Sequence, residues 1–172
     1  MSLPDISNRF VWKPRWKAGS FEYEELSGEL GVPGKVMTHR SRHMQEMMSG
    51  GTGEHAGHRI GIQFGAPGDA RNLSLQNPNT NTYAPRELHV IFRGPGGSYL
   101  RLESEWAEKL QAGQRIWVSV RDKYRCSEMR PISRQVNWVE TDATGVRLPL
   151  KTLEFVNFGS PQMRAVAGKS GS

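Results

Sequence analysis

Gly53-Glu54-His55-Ala56-Gly57-His58-Arg59-Ile60-Gly61-Ile62-Gln63-Phe64-Gly65, followed closely by Gly68-Asp69-Ala70-Arg71-Asn72-Leu73-Ser74-Leu75-Gln76-Asn77-Pro78-Asn79-Thr80-Asn81, is the stretch whose reading decides the fold. His58 stands at the head of a short apolar run. A glycine-rich turn follows, then a dense set of carboxamides. An imidazole can take a proton from water near neutral pH. Asparagine oxygens are neutral hard ligands that suit Mg²⁺, an ion that keeps most of its own waters. A base and a lightly held hard cation are the parts needed to hydrolyse a phosphodiester.

These residues carry a family resemblance. Gly57-His58, Phe64-Gly65-Ala66-Pro67-Gly68-Asp69, Asn72-Leu73, Gln76-Asn77 and Asn81 resemble, in order and spacing, the GH…FGGPGD…NL.PQN…N pattern of the DNA/RNA non-specific endonucleases. The closer likeness is to the compact branch found as toxin domains of bacterial secreted effectors. Leu100-Arg101-Leu102-Glu103-Ser104-Glu105-Trp106 resembles the family's helix, whose glutamate assists the metal-bound water shell. Gly113 to Val120, Tyr124 and Arg130-Pro131 resemble the closing strands, so the likeness spans residues 35 to 145. It implies an α+β fold with a ββα-metal core, a small antiparallel sheet and a packed helix. Two departures stand out. The larger nucleases of the superfamily carry Asp-Arg-Gly-His where this chain has His55-Ala56-Gly57-His58, so the arginine is missing, as it often is in the compact branch. Thr82 to Gly97 reads as an insertion ahead of the glutamate helix.

Composition is consistent with that picture. The chain has 172 residues, one domain's worth. Mean hydropathy is −0.61 and no apolar run approaches the ~18 residues of a membrane helix, so no membrane partner is expected. Met1-Ser2-Leu3-Pro4-Asp5 shows no charged segment followed by an apolar one, and no cleavable signal peptide is expected. One cysteine, Cys126, excludes an internal disulfide and any multi-cysteine zinc site, and reads as inert. A formal net charge of +6 favours a polyanionic partner, because lysine and arginine release counterions from phosphates.

Residues 1–34 read as an N-terminal arm and a leading strand, 35–164 as the nuclease domain and 165–172 as a disordered tail. In the arm, Trp12 and Trp16 interleave with Arg9, Lys13, Arg15 and Lys17. Such a segment stacks bases and tracks a backbone, or its tryptophans cover the core. Phe21 and Tyr23 alternate with glutamates as in a strand, and Lys35 to Thr38 begins another. Arg42 to Met48 has helical composition. From Gly57 a strand is predicted, with His58, Ile60 and Ile62 on one face and His58 at its mouth. His55 and His58 fall on opposite faces, which excludes a paired-histidine metal site. Asp69 caps a helical turn that would carry Asn72 and Gln76 together. Arg86 to Arg93 alternates as an inserted strand. Ser98 caps the clearest helix, in which Tyr99, Leu102, Trp106 and Leu110 recur, and Gly113 stops it. Ile116, Val118 and Val120, then Val136 and Trp138, mark two more strands, and Val146 to Phe158 has strand composition broken at Pro149.

With the resemblance in hand, His58 is expected as general base and Asn81 as the direct metal ligand. Asn72 is a second ligand candidate, its other role being to organise the loop through side-chain to backbone bonds. Glu103 is expected to accept hydrogen bonds from metal-bound water. A cation should face the phosphate oxygens. Arg42, Arg59 and Arg71 lie near the motif; Arg59 has the wrong strand parity, and Arg42 is the first choice. The cofactor expected is Mg²⁺, with Mn²⁺ as the substitute. The expected function is metal-dependent endonuclease of DNA and/or RNA, an antibacterial effector toxin with a cognate immunity protein. It would be secreted or delivered into a target cell to act in its cytoplasm. The alternative is a catalytically inactive nucleic-acid-binding module.

Overall fold

Alternation builds the main sheet. Within Arg115–Arg125 (β5), Ile116, Val118, Val120, Asp122 and Tyr124 turn to one face and are buried. The computed structural model describes residues 2–50, 54–76 and 99–157, and β5 is the middle strand of a five-stranded antiparallel sheet. With β1 (Val11–Ala18), β2 (Phe21–Glu29), β6 (Ser133–Thr141) and β7 (Lys151–Val156), the order is β1-β2-β5-β6-β7. A separate antiparallel hairpin pairs β3 (His55–His58) with β4 (Leu73–Gln76). Helices α1 (Arg42–Ser49) and α2 (Tyr99–Gln111) complete the described elements, apart from short 3-10 turns.

The apolar stripe of α2 places Tyr99, Leu102, Trp106 and Leu110 against the inner face of the sheet. Trp106 is wholly buried and packs edge-on to Trp138, Phe64 and Tyr99, with ring centroids 5.8, 6.3 and 6.1 Å away. Gly113, at φ 91°, ends the helix as expected. Gly65, at φ 87°, closes the 3-10 turn after His58; a Cβ there would lie 2.5 Å from Ile6.

Several expectations change. The N-terminal arm is strand β1, on the sheet's edge, where Pro14 is tolerated beside a bulge between Lys13 and Trp16. Ile6, Phe10 and Leu26 share one core with Ile60, Trp106 and Val136, so the leading segment and the remainder pack as a unit. Lys35 to Thr38 forms no strand; Gly34, at φ 82°, turns the chain, which then runs irregularly to Ser41. The strand predicted from Gly57 through Ile62 stops at His58. Asn72 ends it by taking over the backbone of Ile60: its Oδ1 accepts from Ile60 N and its Nδ2 donates to Ile60 O. Asp69 does cap a 3-10 turn, accepting from Arg71 N, but the chain then enters β4, so Asn72 and Gln76 do not share a helix face. Among the described residues from Val146 onward, Lys151–Val156 is the strand, after Pro149, and Phe158 lies outside the described residues. The expected inserted strand at 86–93, the Ser98 cap, Asn81 and the tail lie outside the described residues.

Candidate active site

His58 is the last residue of β3, where the strand ends and its side chain reaches a depression of about 240 Å³. Arg40, Gln45, Gly61, Tyr99 and Glu103 also line that depression. The Nε2 of His58 is buried and has no hydrogen-bond partner among the described residues. Burial pushes the imidazole down to about 4, aided by the positive charges of Arg40 and Arg134. At neutral pH it is therefore unprotonated, the form that can accept a proton.

Glu103 arrives from α2, one step off the apolar stripe, and is buried. Its Oε2 accepts from Gly61 N at 2.6 Å, while Oε1 makes no hydrogen bond among the described residues. Burial raises the carboxyl to about 7, against the pull of the Gly61 amide and of Arg134. A Cβ at Gly61 would lie 2.7 Å from Oε2, so any side chain there would press on the carboxylate. A buried carboxyl whose charge is disfavoured by desolvation, with Oε1 unbonded among the described residues, gains from a nearby cation, which would favour its charged form. The residues present therefore fit a metal-bound water network.

A buried ionic network holds the backbone of His58 from behind. Arg134 spans Asp122 with Nε to Oδ1 at 2.7 Å and Nη2 to Oδ2 at 2.9 Å. Its Nη2 also donates to Ser74 Oγ at 2.8 Å, and Nη1 to the carbonyl oxygen of His58 at 3.2 Å. Arg59 is 1% exposed and bonds Asp122, Tyr124, Glu24 and the carbonyl of Arg71. Burial alone would weaken these charges; mutual pairing overcomes it, holding Asp122 below the usual carboxylate range and Arg134 above the usual guanidinium range.

Of the residues singled out in the sequence, His58 and Glu103 meet in one depression. Asn72 does not open onto it. It is wholly buried and its carboxamide is engaged by Ile60 and by Pro67 O, which is the loop-organising role. Arg42 lines a different depression with Glu46, His55 and Ala56. The arginine beside His58 is Arg40, two residues earlier in an irregular segment that no periodicity marks. Arg59 is structural, and Arg71 is exposed and paired with Asp69 at 2.7 Å. His55 is exposed on the other side of β3. Arg134 and Asp122 went unnoticed in the sequence, although their strand parity matches that of buried Val136 and Val120. Among the described residues no three His, Cys, Asp or Glu side chains converge as metal ligands.

Two strands and a helix that bring an imidazole and a carboxylate into one depression define the ββα-metal nuclease class within the α+β folds. The DNA/RNA non-specific endonuclease family matches residues 34–141, more than half of the chain. The chain belongs to that family and is accordingly an endonuclease, a hydrolase of phosphodiester bonds. Among solved structures, the fold is similar to that of the Sda1 nuclease with bound zinc ion, with TM-score 0.60 and 11% identity over 88% of this chain and 74% of that one. An extracellular nuclease also matches, with TM-score 0.49 and 15% identity over 92% and 90% of the two chains. No curated protein matches the chain. No helix among the described residues is long and apolar enough to cross a membrane.

Proposed function

We propose that the chain cleaves DNA or RNA with His58 as general base, Glu103 ordering the water shell of a divalent cation and Asn81 as that cation's direct protein ligand. The observation that carries the reading is the buried Nε2 of a neutral His58, without a hydrogen-bond partner among the described residues, in the same depression as the buried carboxyl of Glu103. The cation would supply charge stabilisation for the phosphoryl and leaving oxygens. Arg40, not Arg42, is the cation we assign to the substrate phosphate.

An imidazole at about 4 is a weak base, and the surroundings explain how it becomes a stronger one. A phosphodiester beside Arg40 brings negative charge that offsets the arginine's. The His58 pKa then rises toward the value at which proton transfer from water is effective. Arg134 keeps its grip on the His58 backbone throughout, so the ring stays where it is needed.

Mg²⁺ is the proposed cation, with Mn²⁺ as substitute, since one carboxamide and one water-bridging carboxylate suit an ion that keeps its waters. Zinc in the Sda1 nuclease belongs to that protein, and a titration against each metal decides for this one. The motif's likeness to the compact branch supports an antibacterial effector role, with delivery into a target cell and an immunity protein at home.

The test is incubation of plasmid and of RNA with the chain and Mg²⁺, Mn²⁺ or Zn²⁺, with and without EDTA. His58→Ala should lose about 10²–10⁴-fold in rate while the fold persists. Cleavage by that variant at wild-type rate would remove His58 as the base. Nucleic-acid binding without cleavage under any metal would instead describe an inactive binding module. Asn81→Ala should raise the metal concentration needed for half-maximal rate, and an unchanged titration would remove it as ligand.

A further inference from the structure

The outer face of the five-stranded sheet is built unlike an ordinary solvated surface. The hairpin and α2 cover the inner face, to which Leu26, Val118, Val120 and Val136 point. Register places Lys13 opposite Glu25, Trp16 opposite Tyr23, Tyr23 opposite Lys123, and Glu25 opposite Arg121 on the other side. Phe21 and Arg125 are likewise paired there.

On that face aromatic rings and cations alternate. Trp16 and Tyr23 stack with centroids 5.5 Å apart. Lys13 Nζ lies 4.1 Å over the Trp16 ring and Lys123 Nζ 4.0 Å over Phe21. Arg121 lies 5.3 Å from Trp16 and 5.9 Å from Tyr23 while also pairing with Glu25 at 2.9 Å. Farther along, a second depression of about 380 Å³ is lined by half-exposed Trp117 with Arg147, Arg115 and Glu29, the last two paired at 2.7 Å. None of these rings belongs to the buried core cluster. Cross-strand aromatic pairing explains the Trp16–Tyr23 contact as sheet stabilisation. It does not call for a lysine over each neighbouring ring.

We propose that this face is a platform for single-stranded nucleic acid, separate from the cleavage depression. Rings accept stacked bases without regard to sequence, and the lysines that now cover them are long enough to swing to phosphates. A duplex would not fit. Five strands span roughly 19 Å, wider than the ~12 Å major groove, which admits a helix or a two-stranded ribbon. The platform and the His58 depression lie on opposite sides of the sheet, so a strand passing round the sheet's edge engages both. The choice of a nucleic acid as occupant rests on the nuclease reading; the binding event does not require cleavage.

The test uses the full chain in EDTA and fluorescent oligothymidylates of about 6 and about 20 nucleotides, near and beyond one such binding site. Lys13→Gln combined with Lys123→Gln should weaken binding of the longer oligomer at least tenfold. The slope of log affinity against log salt should fall by about 1.4, two single-strand phosphate contacts. Thermal melting reports whether the fold persists. Trp16→Phe keeps a ring on the platform and should lose part of the tryptophan quenching that the oligomer causes in the wild type. Turnover of a small chromogenic phosphodiester with metal should be unchanged in all these variants. Wild-type affinity and slope in the double variant would overturn the platform, and so would capture of an acidic protein by this face with oligomer binding unaffected. Cleavage of the small diester with platform variants binding normally would leave the nuclease reading standing alone. Platform-dependent binding by a wild type that cuts neither substrate would do the reverse.

Discussion

The amide N–H of Gly61 donates to Oε2 of Glu103 at 2.6 Å, so the turn that follows His58 fixes the carboxylate of α2. His58 and Glu103 come from segments 45 residues apart in sequence, and this bond sets their spacing. Glu103 Oε1, unbonded among the described residues, is the oxygen our proposal gives to the water shell.

Gly61→Ala should separate catalysis from folding. The backbone there, at φ −53° and ψ 135°, is open to any residue. The added methyl meets Oε2 at 2.7 Å and the Phe64 ring at 3.3 Å, so the carboxylate must yield. Overpacking of this kind costs about 1–3 kcal/mol. Activity should fall more than tenfold while a folded melt persists. Full activity in the alanine variant would mean that the Gly61–Glu103 bond does not position the carboxylate.

Two buried groups should make opposing contributions to stability against pH. Glu103 stands at about 7 against 4.5, so folding holds its proton more tightly. That contribution is present below 4.5 and is lost as pH rises through 7, on the order of 3 kcal/mol. His58 stands at about 4 against 6.5, so folding disfavours its proton. Its contribution is present above 6.5 and is lost as pH falls through 4, again roughly 3 kcal/mol. Between about 4.5 and 6.5 the slopes cancel. Glu103→Gln should therefore be more stable than wild type at pH 8 and show the histidine's rising slope alone. His58→Asn should show the falling slope of the carboxyl. Urea denaturation in EDTA at a series of pH values measures both, and wild-type slopes in the two variants would refute the pairing.

Arg40 and Arg42 should separate cleanly. Arg40→Ala removes a positive charge that depresses the imidazole, so the His58 pKa should rise toward 6.5, read by NMR of its ring protons. Substrate affinity should fall at the same time. Arg42→Ala, on another depression, should leave the rate and the titration in place. Equal effects from both would return the phosphate contact to the position favoured by sequence.

Local patterns made much of this molecule legible. Helix α2 and the strands around Val118 and Val136 follow from periodicity, and the Asp69 cap from turn chemistry. The position of His58 at a strand's mouth was also readable, because parity and a following turn are local facts. What escaped was assembled across distance. Arg40 reaches the site from an irregular segment, where no period marks a side chain's direction. Arg59 follows β3 in a bend while Asp122 and Arg134 lie on β5 and β6, and charges in a basic chain read as solvated. The clue was parity: Asp122 follows Val118 and Val120 on the buried face of β5, and Arg134 precedes Val136 on that of β6. Buried parity in a charged residue signals a partner across the sheet. For Trp16 the sequence left two roles open, base stacking or core cover, since an edge-strand tryptophan can face either way and a bulge decides.

Arg134 ties the ionic core to the backbone of His58, and its removal should be felt in both. Arg134→Met leaves Asp122 with Arg59 as its remaining ion-pair partner among the described residues and strips Ser74 Oγ and the His58 carbonyl of the guanidinium's hydrogen bonds. Breaking one partner out of a buried pair costs about 3–5 kcal/mol, because the remaining charge stays desolvated. Arg134→Lys restores the charge but offers a single ammonium in place of the planar fork that spans both oxygens of Asp122. It should recover part of the stability and less of the rate, since one ammonium cannot bind Asp122, Ser74 and the His58 carbonyl in the same geometry. Denaturation midpoints and kcat on a small phosphodiester, measured on both variants, distinguish anchoring from charge. If lysine restored kcat and stability together, the positive charge would suffice and the contact to the His58 carbonyl would not position the base.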